Sequence, residues 1–401
     1  MKRGIATFTL DTGRCPRWLF ERMVKLGREM TDVLVDEYGP EEFIARIADP
    51  VWFQSLGTVL AFDWNASGLT TILTAALKEA IRGQEKDLGI FICGGKGKTS
   101  RKTPDEIVNW GNRLGLEKLK VNNLVYNSRM SAKVDSALVQ DGYQIYHHSF
   151  FFTSSGSWTV VQQGMNVQNV TARRYHWHDK IQIPNNKLQI TKKNQNSKID
   201  FVNEPHRGIA SQVFKKNVLN MVSAKSDKTR KVSTQLAQAG YARIRRDFEI
   251  LRKHSSELSR MITLTRQGDS LTLLELADVE FEHHPVEFED FAQSKYLQKI
   301  LTKLGENQPK TYEEFLATEG VGPKTVRALS LVSEVIYGAK PSYEDPARYS
   351  FAHGGKDSTP YPVDRPTYDQ TIEMLSSAVR KSKINTFEKD KALRRLRGRT
   401  L

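Results

Sequence analysis

Two adjacent β-rich runs constrain the fold of this chain more than any other feature. Residues 143–153 and 158–163 are rich in aromatic and β-branched side chains, and the Ser-Ser-Gly-Ser sequence between them is typical of a turn. The runs therefore predict an antiparallel β-hairpin. Apolar residues recur at helical spacing in residues 18–38 and 69–82, so we expect helices to accompany the hairpin. Together these patterns predict an α+β fold.

The β signal fades after about residue 205, and this change predicts how the chain is divided. Residues 1–205 are expected to form a mixed α/β domain with a catalytic or nucleic-acid-binding role. Residues 206–379 are expected to form an all-α domain, and residues 380–401 a basic tail. The length of 401 residues agrees with two or three domains.

The basic residues are concentrated in two parts of the chain. Of the 60 Lys+Arg residues, 20 lie in residues 165–260, against 7 acidic residues, and 9 lie in residues 380–401, against 2. Such blocks bind phosphate backbones effectively because binding releases condensed counterions. We therefore predict a nucleic-acid partner. Residues 261–379 carry an acidic excess, so a phosphate site there is expected to bind through backbone amides and not through charge.

The composition also indicates where the protein works. No apolar run reaches the length of a membrane span, and the first ten residues lack the apolar segment of a signal peptide. The two cysteines, Cys15 and Cys93, cannot form a disulfide scaffold or a four-thiolate metal site. We therefore predict a cytoplasmic protein without a membrane partner.

A glycine- and lysine-rich loop follows the strand that is predicted at residues 88–93. Its Gly-Lys-Thr sequence at residues 97–99 matches the end of a P-loop, but residue 92 is isoleucine where a P-loop has its first glycine. The capping signal at residues 103–106 also starts the helix too late for a P-loop. We therefore expect a site for a phosphate backbone, with a plain surface loop as the alternative. The cationic candidates are Lys96, Lys98, Arg101 and Lys102.

The hairpin and the strand that follows it carry many polar side chains for such apolar strands. Polar side chains are costly to bury unless they are paired or functional. Successive residues of a strand face opposite sides of a sheet, so His147 and His148 are expected on opposite faces. Structural hydrogen bonding is one interpretation of the cluster. A surface that binds nucleic acid by charge and stacking is a second, with the candidates Arg173, Arg174, Tyr175, His176 and Trp177.

A hydrolytic centre is the third interpretation of the same region. A nuclease would need a divalent metal such as Mg²⁺ or Mn²⁺, held by convergent carboxylates. The sequence contains no strict metal-ligand spacing that supports one, so the carboxylates could converge only in three dimensions. The candidate catalytic residues are Asp63, Asp141, His148 and Gln162.

The sequence at residues 312–338 resembles a helix-hairpin-helix motif. Thr311 and Glu314 form a capping-box pattern at the first helix, and a Gly-Val-Gly-Pro-Lys-Thr sequence at residues 320–325 opens the second. Glycine allows a tight turn and a close approach of the backbone to a ligand. The amides of the turn can then bind a DNA phosphate beside the N-terminus of a helix. The DNA-binding candidates are Gly320, Gly322, Lys324 and Thr325.

This segment also resembles the helix-hairpin-helix DNA glycosylases of the endonuclease III type. In that family a lysine of the second helix attacks the sugar carbon, and an aspartate at the start of a later helix assists base loss. By resemblance these roles fall on Lys324 and Asp364. The sequence departs from the family at Thr318 and Glu319, where the family usually has Leu-Pro, and the spacing between the two catalytic candidates is about twice that of the family.

As a whole, the chain resembles an uncharacterised family of archaea and thermophilic bacteria. The resemblance lies in residues 2–9, 52–71, 94–107 and 143–176. It implies a prokaryotic protein, which would be associated with the nucleoid if it binds DNA. It implies no established activity.

Together these patterns predict a DNA-binding enzyme of DNA repair, either a nuclease or a glycosylase or lyase. The expected substrate is damaged, branched or single-stranded DNA. A non-catalytic DNA-binding or architectural protein is one alternative. An RNA-binding or RNA-processing protein is another, because stacking aromatic side chains suit unpaired bases.

Overall fold

The structure is a computed structural model that describes most of the chain. The described residues are 8–10, 13–60, 66–179, 199–213, 215–254, 264–266, 269–271, 291, 293–347 and 365–396. Two predicted catalytic residues, Asp63 and Asp364, lie outside them.

A five-stranded antiparallel sheet forms the centre of the fold. In chain order the described residues form β1 (Ile90–Lys96), β2 (Val139–Gln140), β3 (Gln144–Thr153), β4 (Trp158–Asn166), β5 (Thr171–His178), β6 (Gly208–Ser211), β7 (Leu219–Asn220), β8 (Leu264–Arg266) and β9 (Asp269–Leu271). The large sheet has the order β1-β3-β4-β5-β6, while β2 pairs with β7 and β8 pairs with β9. The antiparallel pairing of β3 with β4 confirms the predicted hairpin.

Helices cover both faces of the large sheet. The described residues form α1 (Arg17–Ile47), α2 (Pro50–Val59), α3 (Ala66–Ala80), α4 (Glu85–Leu88), α5 (Thr103–Arg113), α6 (Lys118–Ala137), α7 (Asp227–Ala239), α8 (Tyr241–His254), α9 (Lys295–Asn307), α10 (Tyr312–Ala317), α11 (Pro323–Val335), α12 (Arg365–Lys381) and α13 (Thr386–Leu396). Local signals explain their boundaries. Asp49 caps α2 by accepting a hydrogen bond from the amide of Val51 at 2.7 Å. Gly39 has a φ of +83° and interrupts α1.

The sheet separates two hydrophobic cores. Phe150 and Phe152 of β3 belong to one core, and Phe151 belongs to the other, because successive side chains of a strand point to opposite faces. The first core also contains side chains of α6 to α11, and the second contains side chains of α1, α2, α3, α12 and α13. The fold is therefore a sheet between two helical layers, and it confirms the predicted α+β class.

The packing continues across the predicted boundary at residue 205. β6 pairs with β5, so residues beyond the boundary complete the large sheet. β6 and β7 also correct the expectation that residues 206–379 are all helical. One core contains Phe91 and Leu329, which lie on the two sides of the boundary. The division of the chain into separately folding domains stays a prediction.

The basic C-terminal segment begins as part of the folded structure. α13 buries Ala392 in the second core and packs against α2 and α12. The side chains of Lys391 and Arg394 remain exposed. This part of the predicted tail is therefore a docked helix with a basic outer surface.

Candidate nucleic-acid interface

An exposed turn at residues 318–322 joins α10 to α11. Thr311 caps α10 by accepting a hydrogen bond from the amide of Glu314 at 3.1 Å, as the capping pattern predicts. Gly320 has a φ of +90°, and a Cβ atom there would lie 2.3 Å from Cδ1 of Ile300 in α9. The turn therefore requires glycine at this position. Among the described residues, no side chain caps the first turn of α11.

Two other helices hold this turn through its carbonyl oxygens. The hydroxyl of Tyr296 in α9 donates a hydrogen bond to the carbonyl oxygen of Gly320. Nζ of Lys133 in α6 donates one to the carbonyl oxygen of Thr318, at 2.8 Å. Since α6 precedes the predicted domain boundary and α9 follows it, both parts of the chain fix the turn.

Two further contacts fix the α10–α11 hairpin along α6. The hydroxyl of Tyr126 donates a hydrogen bond to Oε1 of Glu313 at 2.7 Å. Nε2 of Gln140, just beyond α6, donates one to the carbonyl oxygen of Pro323 at 3.0 Å. Tyr126 and Lys133 are seven residues apart and share a face of α6. The hairpin is therefore docked along one side of that helix.

The charges of three lysines act on the carboxylate of Glu319 in the turn. Nζ of Lys303 lies 3.1 Å from Oε2 of Glu319. The hydrogen bond and the charge of Lys303 lower the pKa of the Glu319 carboxyl, and the charges of Lys299 and Lys133 lower it further. Lys299 and Lys303 are four residues apart, so they share one face of α9. Basic side chains therefore reach the turn although it lies in an acidic segment, and binding through its backbone amides stays a prediction.

The ammonium group of Lys133 is partly withdrawn from water. Burial lowers the pKa of Lys133 to about 8, Glu319 opposes this change, and the charge of Lys303 adds to it. Lys133 is therefore mostly protonated at neutral pH and loses its proton within the range of ordinary binding assays. The charge at the turn consequently depends on pH above 7.

Three of the four predicted hairpin residues are accessible. Gly320 is exposed, and Gly322 and Lys324 are partly exposed. Thr325 is fully buried, which corrects the expectation that it contacts DNA. Lys324 lies in the first turn of α11, and its role as a lyase nucleophile stays a prediction.

The predicted phosphate loop lies at the end of β1. A 3-10 helix at Gly97–Lys102 leads into α5, which begins where the capping signal predicts. Gly94 has a φ of +87°, and a Cβ atom there would lie 2.2 Å from the carbonyl oxygen of His148 in β3. The loop therefore needs a glycine to pass so close to the neighbouring strand. Its four predicted cations are all exposed: Lys96, Lys98, Arg101 and Lys102.

Arg173 is at the centre of a buried network of charges. Its guanidinium donates a hydrogen bond to Oδ2 of Asp141 at 2.9 Å and bonds to both carboxylate oxygens of Asp345. The hydroxyl of Tyr175 also donates to Asp141, at 2.7 Å. Burial alone lowers the pKa of Arg173, but Asp141 and Asp345 raise it above its usual value. Asp141 is therefore bound within this buried network, and its catalytic role stays a prediction.

Arg174 and His176 lie on the other face of the sheet. Nε of Arg174 donates a hydrogen bond to Nε2 of His176 at 2.8 Å, and Nη1 donates to Oε1 of Gln54 at 3.2 Å. Burial lowers the pKa of Arg174 to about 9. Five residues were expected to form an exposed nucleic-acid surface, and all of them are fully buried: Arg173, Arg174, Tyr175, His176 and Trp177. That expectation is therefore corrected.

The predicted catalytic residues His148 and Gln162 belong to a buried chain of hydrogen bonds. Nε2 of Gln162 donates to Oδ2 of Asp135 at 2.5 Å, so Oε1 of Gln162 accepts from Nδ1 of His148 at 2.8 Å. Burial lowers the pKa of His148 to about 4, so its ring is neutral at pH 7 and its Nε2 accepts from the Ser128 hydroxyl at 2.9 Å. His206 joins this chain of hydrogen bonds through its Nε2, which lies 2.5 Å from Oδ1 of Asp135. This arrangement supports the structural interpretation of the polar cluster.

The expectation for the two adjacent histidines is confirmed. His147 lies 3.1 Å from the hydroxyl of Thr74 in α3, whereas His148 contacts Ser128 in α6. These helices cover opposite faces of the sheet. Polar side chains therefore line both faces of the hairpin.

The residues that bring charge to the turn were not singled out by sequence patterns. Lys299 and Lys303 have a spacing of four, which is the signal that could have placed them on one helix face. Lys133 gave no such signal, because its partner Thr318 lies 185 residues away in the sequence.

The described residues contain no group of three or more His, Cys, Asp and Glu side chains that could hold a metal ion. The predicted roles of Asp63 and Asp364 stay predictions, since both lie outside the described ranges. Within those ranges, no helix is long and apolar enough to cross a membrane.

A family model described as protein of unknown function (DUF763) matches residues 4–363. This match confirms the predicted membership of an uncharacterised family over most of the chain. Comparison with the curated proteins and with the solved structures finds no match. The resemblance to the helix-hairpin-helix DNA glycosylases is not confirmed and stays a prediction.

Proposed function

We propose that this chain, which belongs to the DUF763 family, binds the phosphate backbone of DNA through the α10–α11 turn. One observation carries the proposal. Lys133 and Lys303, from two helices, contact an exposed glycine turn that opens a helix, and the charge of Lys299 acts on the same turn. Such a combination of ammonium groups and helix amides is suited to an anion.

The turn would bind DNA without reading its sequence. The first amides of an α-helix have no acceptor within the helix, and the helix dipole favours a negative charge beside them. A phosphate at the start of α11 would meet these amides and the lysines of α6 and α9 together. Contacts of this kind reach the backbone and not the base edges, so we expect similar affinity for different sequences.

The other exposed cations would add longer-range attraction. The glycine loop presents Lys96, Lys98, Arg101 and Lys102, and α13 presents Lys391 and Arg394. Basic surfaces of this kind raise the rate of association with a polyanion. In a prokaryotic cell, this activity would place the protein on the nucleoid.

A base-removing lyase is the second candidate function. It is favoured by the position of Lys324, which lies in the first turn of α11 beside the proposed phosphate site. A lyase forms a covalent imine with an abasic sugar, and borohydride traps this imine. Lys324→Ala should abolish trapping on abasic DNA, while Lys310→Ala, which changes an exposed lysine before α10, should not.

Binding to a panel of labelled nucleic acids tests the first proposal. The panel holds duplex, abasic, flapped and single-stranded DNA with RNA of the same sequence, each incubated with Mg²⁺, Mn²⁺ or EDTA. We expect DNA binding that is independent of sequence and weakens steeply with salt. Absence of DNA binding at low salt, or tighter binding of RNA at every salt concentration, would contradict the proposal. Metal-dependent cleavage would identify a nuclease and restore the predicted metal cofactor.

A further inference from the structure

The lysines at the turn, Lys133, Lys299 and Lys303, already interact with a carboxylate of the protein, that of Glu319. The carboxylate of Glu319 lies 3.1 Å from Nζ of Lys303, and Lys299 and Lys133 are close enough to act on it. The side chain of Glu319 is 94% exposed, so the ion pair restrains it only weakly. The Glu319 carboxylate can therefore move away from the lysines by rotation of its side chain into water.

A DNA phosphate needs the same cations. A phosphodiester carries one negative charge, as the Glu319 carboxylate does, and both accept hydrogen bonds from ammonium groups. Two anions at one cluster repel each other and share its donors. The Glu319 carboxylate therefore opposes the binding of a phosphate by Lys303 for as long as it stays beside that ammonium group.

We infer that Glu319 competes with DNA phosphate for the lysines of the turn and thereby lowers the affinity of this site. The inference rests on the proposed DNA-binding function. An exposed side chain can rotate into water, so the exchange needs no change in the fold. The cost of moving the carboxylate is the same for any phosphate that binds Lys303, so the competition lowers the affinity for DNA and for inorganic phosphate alike. A backbone with adjacent phosphates gains further contacts, with Lys133 and Lys299 among the available partners.

The substitution Glu319→Gln tests this inference, because it keeps the size of the side chain and removes its charge. We expect duplex DNA to bind about fivefold more tightly, as for the loss of one competing exposed ion pair. Inorganic phosphate should also bind this variant more tightly than the wild type, by about the same factor, because it competes with the same carboxylate. Glu21→Gln is the matched control, since it removes the same charge from an exposed ion pair, with Arg17 at 2.8 Å, in α1 on the other side of the sheet.

The outcomes separate the inference from the proposed function. Tighter binding by Glu319→Gln, with Glu21→Gln unchanged, supports the competition. Equal tightening by both variants shows a general charge effect and overturns it, as does wild-type affinity in Glu319→Gln. If neither the wild type nor Glu319→Gln binds DNA, the proposed function itself fails.

Discussion

Lys133 of α6 donates a hydrogen bond from Nζ to the carbonyl oxygen of Thr318, at 2.8 Å, although the two residues are 185 positions apart. This contact joins the N-terminal part of the chain to the turn between α10 and α11. It places an ammonium group with a pKa of about 8 beside the proposed phosphate site. The site is therefore a product of tertiary structure and not of the hairpin alone.

Raising the pH from 7 to 9 is expected to weaken DNA binding. The pKa of Lys133 is about 8, so its charge is present below pH 8 and is lost as the pH rises through 8. Loss of one lysine–phosphate contact at a partly exposed site corresponds to about 1 kcal/mol, or roughly fivefold in affinity. Fluorescence anisotropy over this pH range measures the change.

Lys133→Arg provides the control for this pH profile. A guanidinium stays charged throughout the range, so the variant should bind DNA with little change from pH 7 to 9. A profile as steep as that of the wild type would show that another group titrates, and the role given to Lys133 would then be rejected.

Gly320→Ala is expected to destabilise the protein, whereas Gly322→Ala is tolerated. The backbone at residue 320 has a φ of +90°, and a Cβ atom there would lie 2.3 Å from Cδ1 of Ile300. We expect a loss of about 1–3 kcal/mol in the free energy of unfolding. At Gly322, with a φ of −151°, the nearest atom to a Cβ would be the Tyr296 hydroxyl at 3.7 Å, so the loss should stay below about 1 kcal/mol.

Urea unfolding followed by circular dichroism measures both glycine variants. The matched pair separates the geometry of the turn from the general cost of replacing a glycine. Equal losses for the two variants would contradict the structure of the turn.

The sequence predicted the fold class because the hairpin pattern is local. Residues 143–163 carry both β-rich runs and the turn between them, and the structure confirms this pair. β6 was missed because Gly208–Ser211 is only four residues long and is a strand through its pairing with β5. Short strands of this kind depend on their partners and not on their own propensity.

The candidate site was only partly predictable, because charge in a sequence does not show where the charge lies. Arg173 was expected on the surface, but Asp345, 172 residues away, accepts its hydrogen bonds in the interior. Conversely, the hairpin belongs to an acidic segment, yet Lys133 of α6 and the lysines of α9 reach its turn. Both differences arise from contacts between distant parts of the chain.

Gln162→Leu is expected to destabilise the protein strongly. The side chain of Gln162 is fully buried and bonds to both Asp135 and His148. Its replacement leaves these buried groups with fewer partners, at a cost of about 2–4 kcal/mol. The exposed Gln235→Leu in α7 should change the free energy of unfolding by less than about 0.5 kcal/mol. Similar losses for the two variants, in thermal or urea unfolding, would contradict the buried chain of hydrogen bonds.

Arg173→Lys should reduce stability and leave DNA binding unchanged. Lysine keeps the positive charge but cannot reproduce the planar fork that bonds to Asp141 and Asp345. We expect a loss of about 2 kcal/mol in the free energy of unfolding. At a temperature where the variant is folded, its salt dependence of DNA binding should match that of the wild type. A shallower dependence would mean that Arg173 reaches DNA after all.

The salt dependence of DNA binding by Lys299→Gln/Lys303→Gln tests the central claim most directly. Two phosphate contacts are removed, so the slope of log K against log salt should become shallower by about 2, roughly 0.9 for each contact. The control Lys25→Gln/Lys86→Gln changes two exposed lysines of α1 and α4 and should keep the wild-type slope. If the α9 variant has the same slope and affinity as the wild type, the turn is not the DNA-binding site.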